Sequence, residues 1–351
     1  MSLINWLKSK PTPRYYWCGR AGYGVLQESK TPIAGSLGLL RFDDSRASDE
    51  LWAPFGESRF IVPKELRLDT EQAKIPCLRQ GFCRQAPNPS FSFDSAVEQA
   101  LSKIQSNQLE KLVLAQRRTL ISPHPINPFT LLERLQAYFP NAHHFLYEPE
   151  PGLAFVGASP EQLYQRSGSK IQSEAQAGTR IRGQTPQEDQ LLGQELLDSP
   201  KDHREHQIVI DNILSALEQI CLDYGITEAK HICKLPNVQH LKTKLAGILK
   251  NSVCDQEILA ALHPTAAVCG WPIAPAFDTL RQLEGFDRGF YTGALGYVSD
   301  PGSEFNVAIR GAVIKNCELI AFAGAGIVAG SNAQDEQQEI DNKMAFWGKL
   351  L

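Results

Sequence analysis

At 351 residues, with a formal net charge of −4 and 21% charged residues, the chain has the length and polarity of one large soluble domain or two ordinary ones. No basic block stands out to neutralise phosphates, which argues against a nucleic-acid partner, and no apolar run approaches a bilayer span. The eight cysteines lack any CxxC pair, which argues against a zinc knuckle or redox dithiol; with no signal peptide at the N-terminus, a reducing, cytoplasmic setting is expected.

Residues 1–90 give short strand signals at Gly24-Val25-Leu26 and Phe60-Ile61-Val62, and no chemistry. Closely spaced prolines in Ala86-Pro87-Asn88-Pro89-Ser90 disfavour helix and mark a boundary between 1–90 and 91–351. Ala96, Ala100 and Ile104 keep a helical spacing within 93–110, and Lys111-Leu112-Val113-Leu114 opens a strand with Lys111 at its mouth. A helix starts at Asn127 and covers Pro128 to Tyr138. Phe145 to Tyr147 and Leu153 to Gly157 read as paired strands, the second running into Ser159-Pro160-Glu161. Glu161 is either an acid favouring a helix dipole or a site carboxylate.

Gln172 to Ala177 is a strand leading to Gly178-Thr179-Arg180. Glu188 to Leu222 is helical with a break at Pro200, and it sets Asp202 and Glu205 on one face at i, i+3. The HREH run at 203–206 does not match the HExxH of zinc peptidases. His240 to Leu245 alternates as a strand, His263-Pro264-Thr265 lies in a loop, and Ala274 to Glu284 is helical. Strands then cover Gly289 to Tyr297, Phe305 to Arg310 and Leu319 to Phe322, with Arg310 either an outward charge or an inward anion ligand. Gly324-Ala325-Gly326 reads as a turn whose bare backbone admits an anion, and it precedes an acidic helix. In that helix Glu336, Glu339 and Lys343 share a face, a pattern that by itself describes a solvated, salt-bridged surface.

Taken together and in order, Lys111-Leu112-Val113-Leu114, Ser159-Pro160-Glu161, Ala177-Gly178-Thr179, Lys201-Asp202-x-x-Glu205-His206, His263-Pro264-Thr265, Ala323-Gly324-Ala325-Gly326-Ile327 and Glu336-x-x-Glu339-x-x-x-Lys343 resemble the motif set of the chorismate-utilising enzymes. The resemblance covers about residues 90–351; residues 1–90 would be a variable N-terminal part of the same fold. It implies an α/β fold in which large antiparallel sheets pack face to face with helices outside, and an active site between the two halves. It also implies Mg²⁺, with Glu205 and Glu339 as direct ligands and Asp202 and Glu336 supporting them. Gly178, Thr179, His263, Ala267, Tyr291, Arg310, Gly324, Gly326 and Lys343 would then bind substrate. Arg310, Tyr291 and Lys343 would clamp the enolpyruvyl carboxylate.

Within that family, a lysine at the position of Lys111 resembles members that add water, whereas anthranilate synthases have glutamine there. Glu161 resembles the general acid for the departing C4 hydroxyl, and Ala177 stands where aminodeoxychorismate synthases often have a nucleophilic lysine. The implied activity is Mg²⁺-dependent isochorismate synthesis from chorismate, with no glutaminase, nucleic-acid or membrane partner. Rival readings are a salicylate synthase that goes on to eliminate pyruvate, an anthranilate synthase-type subunit, and a non-catalytic chorismate-binding module. Menaquinone, phylloquinone and siderophore or salicylate routes would all be open to the product.

Overall fold

The computed structural model describes residues 2–68, 84–85 and 92–351, so the expected boundary at 86–90 lies outside the described residues. Helix starts follow their caps. Asn127 Oδ1 accepts the N–H groups of Phe129 and Thr130, both at 3.0 Å, and Pro128 occupies the first turn, where its missing N–H costs nothing. The expected break at Pro200 separates two helices, Pro186–Asp198 and Pro200–Ile220, the second capped by Ser199 Oγ on the Asp202 N–H.

The strands form two large sheets, and every pairing among the described residues is antiparallel. The first runs Gly270–Trp271, Lys111–Ile121, Glu318–Val328, Gly311–Lys315, Leu153–Ser159, His143–Glu150, Arg14–Trp17, Arg20–Tyr23 and Glu65–Leu68. The second runs Cys221–Lys234, Val238–Leu249, Lys170–Ile181, Gln162–Ser167, Gly302–Val307, Ala294–Val298, Leu37–Leu40, Arg59–Val62 and Gln27–Ser29. Segments before residue 69 thus complete both sheets.

The sheets face each other across an apolar layer to which the first gives Tyr15, Phe155 and Phe322, and the second Leu39, Ile61 and Leu295. Trp52 plugs this layer, with ring centroids 5.3 Å from Phe155 and 5.7 Å from Phe322; such pairs add about 0.5–1.5 kcal/mol beyond their burial. Helices cover the outer faces. Phe93–Gln105, Pro128–Tyr138 and Ala333–Met344 pack on the first sheet, and Pro200–Ile220 and Asp255–Leu262 on the second.

Five local expectations need correction. Gly324-Ala325-Gly326 is not a turn: Glu318–Val328 runs straight through it, with Gly324 opposite Ala115 and Gly326 opposite Val113. Arg310 is not a strand residue; it follows the strand Gly302–Val307 with φ +52°, in the left-handed region. Tyr291 precedes the strand Ala294–Val298, and Glu161 leads into the strand Gln162–Ser167, not a helix. Gly24-Val25-Leu26 lies just before the strand Gln27–Ser29.

Candidate active site

A cavity opens between the sheets, with about 650 Å³ of space free of protein atoms, part of it open to solvent. Of the residues singled out from sequence, Glu161, Gly178, Thr179, Glu205 and Ala267 line it. So do Tyr291, Arg310, Gly324, Gly326, Glu339 and Lys343. Asp202 and Glu336 instead line an adjoining polar hollow that shares Thr179 and Glu339 with the first. His263 lines neither. Its Nε2 lies 3.3 Å from the Arg41 carbonyl, and burial holds its imidazole down at about 4.

Lys111 forms the layer behind the cavity wall. It is fully buried, its Nζ is 3.1 Å from Glu205 Oε1, and both Glu205 and the neighbouring Gly326 face the cavity. Gly326 is small for a reason visible here: a Cβ on it would meet Glu205 Oε1 at 2.1 Å. Gly324 is tight for a different reason: an added Cβ would lie 3.2 Å from the Leu114 carbonyl and 3.3 Å from Val113 Cγ1, in the neighbouring strand. The glycines expected to bend the chain therefore serve instead to let side chains approach a straight strand.

Glu161 is buried, and loss of water pushes its carboxyl up to about 7 against the opposing pull of Lys111 and Lys242. Its position is fixed through the backbone: its N–H donates to Ser159 Oγ at 3.2 Å, and its carbonyl accepts the Val307 N–H at 3.1 Å.

Opposite charges meet at each carboxylate of the two helices. Arg180 pairs with Asp202 at 2.8 Å, Lys201 with Glu336, and Lys343 Nζ donates to Glu339 Oε1 at 2.5 Å and to the Gly324 carbonyl at 2.8 Å. Burial and the charge of Glu339 raise Glu336. Burial alone would also raise Glu339, but the Lys343 ammonium outweighs it and holds that carboxyl low. Among the described residues no three His, Cys, Asp or Glu side chains converge into a ready-made metal cage.

His240 was read from sequence only as one member of an alternating strand, yet it lies at the centre of this wall. Burial and the neighbouring Arg310 lower it to about 3, so it is neutral. Its Nδ1–H donates to the Gly178 carbonyl at 3.0 Å, leaving Nε2 to accept from Arg310 Nη2 at 3.2 Å. Arg310 also donates to the Lys343 carbonyl at 3.1 Å; burial lowers its guanidinium to about 10, still charged near neutrality. Gly178, with φ +72°, is the extra residue of a bulge between Ala177 and Thr179. Thr179 Oγ1 donates to Glu339 Oε1 at 3.1 Å, which ties the bulge to the acidic helix. A polar residue on the inward face of a strand was the one signal by which His240 was findable.

A second buried pair braces the Lys111 strand. Arg288 donates to the carbonyls of Val113 at 2.6 Å and Val268 at 2.8 Å and pairs with Glu284, which in turn accepts the Ala115 N–H at 2.8 Å. No sequence motif marks this pair.

This arrangement offers a buried acid, a buried amine, paired carboxylates and a fixed guanidinium around one cavity, a set suited to acid–base work on a small anion. No helix among the described residues is long and apolar enough to cross a membrane. The chain is 34% identical to isochorismate synthase 2 of Arabidopsis thaliana, over 92% of this chain and 65% of that protein. It is 36% identical to the isochorismate synthase DhbC of Bacillus subtilis, over 88% of this chain and 78% of that one. It thus spans just under two thirds of the plant protein's length. The solved structure of a 2,3-dihydroxybenzoate-specific isochorismate synthase, DhbC from Bacillus anthracis, superposes with a TM-score of 0.85 at 28% identity, covering 99% of this chain and 98% of that one. The family model described as "Chorismate binding enzyme" matches residues 65–351. On these matches, the chain belongs to the chorismate binding enzyme family.

Proposed function

We propose that this chain is a Mg²⁺-dependent isochorismate synthase, adding water at ring C2 of chorismate with loss of the C4 hydroxyl. The observation that carries the reading is the pairing of Glu161, on the cavity wall and able to hold a proton near neutral pH, with the buried amine of Lys111 directly behind that wall. In this reading Lys111 takes a proton from the attacking water, and Glu161 gives one to the departing hydroxyl. Arg310, fixed along one edge by His240 and the Lys343 carbonyl, offers a planar fork to the enolpyruvyl carboxylate. Water as nucleophile removes any need for a glutaminase partner.

The donors present suit magnesium. Glu205 and Glu339 offer hard carboxylate oxygens to the cavity from two different helices, and Asp202 and Glu336 stand one turn before each. Magnesium keeps several waters and binds through one or two carboxylates plus substrate, which two carboxylates facing one cavity can supply. When bound, Mg²⁺ would offset the charge of the ring carboxylate.

The test is incubation with chorismate, with and without Mg²⁺ after chelation, and chromatographic identification of the product. Isochorismate without pyruvate, formed only when Mg²⁺ is restored, is the expected result. Pyruvate with salicylate would move the assignment to the eliminating enzyme, and binding without turnover would overturn a catalytic role.

A further inference from the structure

Gln176 lies on the strand Lys170–Ile181, two residues before the Gly178 bulge, and lines the cavity. It is only 7% exposed, and its Oε1 is buried with no hydrogen-bond partner. A buried acceptor left empty costs on the order of 1–3 kcal/mol, so its retention calls for a partner that arrives with a ligand. An apolar side chain of the same length would avoid that cost.

Strand register shows where that partner would be. Lys170–Ile181 pairs with Gln162–Ser167 through Ser167↔Lys170, Arg166↔Ile171 and Gln165↔Gln172. Ser173 Oγ still reaches the Leu163 carbonyl at 2.7 Å, so the two segments stay adjacent further along. Beyond these pairs both segments lead to the cavity, which Gln176 and Glu161 both line, and the Lys242 charge reaches the Glu161 carboxyl. Lys242, opposite Gln176 in the other neighbouring strand, is held by Glu174 at 2.7 Å and so has its own partner.

We infer that Gln176 is a substrate-binding residue whose side-chain carbonyl accepts the O–H of the ring hydroxyl that Glu161 protonates. This rests on the isochorismate synthase reading and names one further contact within it. Glu161 gives its proton to the C4 hydroxyl oxygen, the C4–O bond breaks and water leaves. The hydroxyl's own hydrogen points meanwhile to Gln176 Oε1, which turns an oxygen lone pair toward Glu161. Lys111 takes the balancing proton from the water that forms the C2–O bond. Without Gln176 the hydroxyl is free to rotate and present its hydrogen to the acid.

The test pairs Gln176→Leu with Gln176→Met, both close in volume and neither carrying the strong carbonyl acceptor of Gln176, in the full chain with Mg²⁺ and chorismate. We expect kcat/KM to fall at least about tenfold in both, chiefly through kcat, while Tm stays level or rises because an unpaired buried acceptor is gone. A side chain with a purely structural role would lose stability and activity together. Retention of kcat/KM within twofold by either folded variant, or loss of Tm in step with activity, would overturn the assignment. If the wild-type chain produces no isochorismate, the functional reading itself fails, and this contact fails with it.

Discussion

Gly326→Ala isolates the geometry of Glu205 from the stability of the fold. Gly326 has ordinary strand backbone, so alanine adds no conformational strain. The new Cβ would lie 2.1 Å from Glu205 Oε1, 2.8 Å from its Cδ and 3.2 Å from Lys111 Cε, whereas ordinary contact begins at 3.4 Å. The carboxylate has to retreat by more than an ångström, and it can, because it is the end of a flexible side chain. Misplacing a positioned group by about 1 Å costs on the order of 10²-fold in rate, while local side-chain relief costs about 1 kcal/mol, or roughly 2–4 °C in Tm for a chain of this size. Steady-state turnover of chorismate and a thermal melt read the two quantities separately. Gly348→Ala, with nothing within 4 Å of its Cβ, is the control that should change neither. A Gly326→Ala protein with wild-type kcat would refute the role given to Glu205, and so would a Tm that collapses along with activity.

Glu161 gives a pH prediction of definite sign. Its carboxyl is raised from 4.5 to about 7 by burial, so the folded chain keeps this proton longer than the unfolded chain. This group therefore makes stability fall as pH rises from about 4.5 to about 7, and kcat should fall above about pH 7 as the donor is lost. Glu161→Gln should flatten that part of a melt-versus-pH series and abolish turnover; an unchanged slope would contradict the assignment. Arg310→Lys keeps the charge but loses the planar fork that meets His240 and the Lys343 carbonyl. It should raise KM for chorismate at least about tenfold with a smaller change in kcat; an unchanged KM would remove Arg310 from the carboxylate clamp.

Local rules served the sequence well where the determinant is itself local. Asn127 with Pro128 starts a helix, Pro200 ends one and begins another, and the strand from Lys111 shows in its apolar run. They failed where the determinant lies across the fold. Ala-Gly-Ala-Gly at 323–326 has turn composition, but eleven consecutive pairs with Lys111–Ile121 hold the strand straight, and Gly326 answers to Glu205. Arg310 sits among strand residues in sequence, yet a left-handed backbone turns it off the ladder to meet His240. The acidic helix looked solvated because its partners, Lys201 and Thr179, are more than a hundred residues away. The resemblance to a known family identified most of the cavity wall; His240, Gln176 and the Glu284–Arg288 brace carried no motif and emerged only from burial and bonding.

The place of Glu318–Val328 in its sheet bears on biogenesis. This strand follows both of its neighbours in the chain, yet inserts between Lys111–Ile121 and Gly311–Lys315, near one end of the first sheet. Until it emerges from the ribosome, both neighbours present open hydrogen-bonding edges, which are templates for misassociation between nascent chains. The cavity wall and the closure of the sheet would then be completed by the same segment. A chain stalled before Glu318 would be a split sheet exposed to chaperones and proteases, not a shortened enzyme.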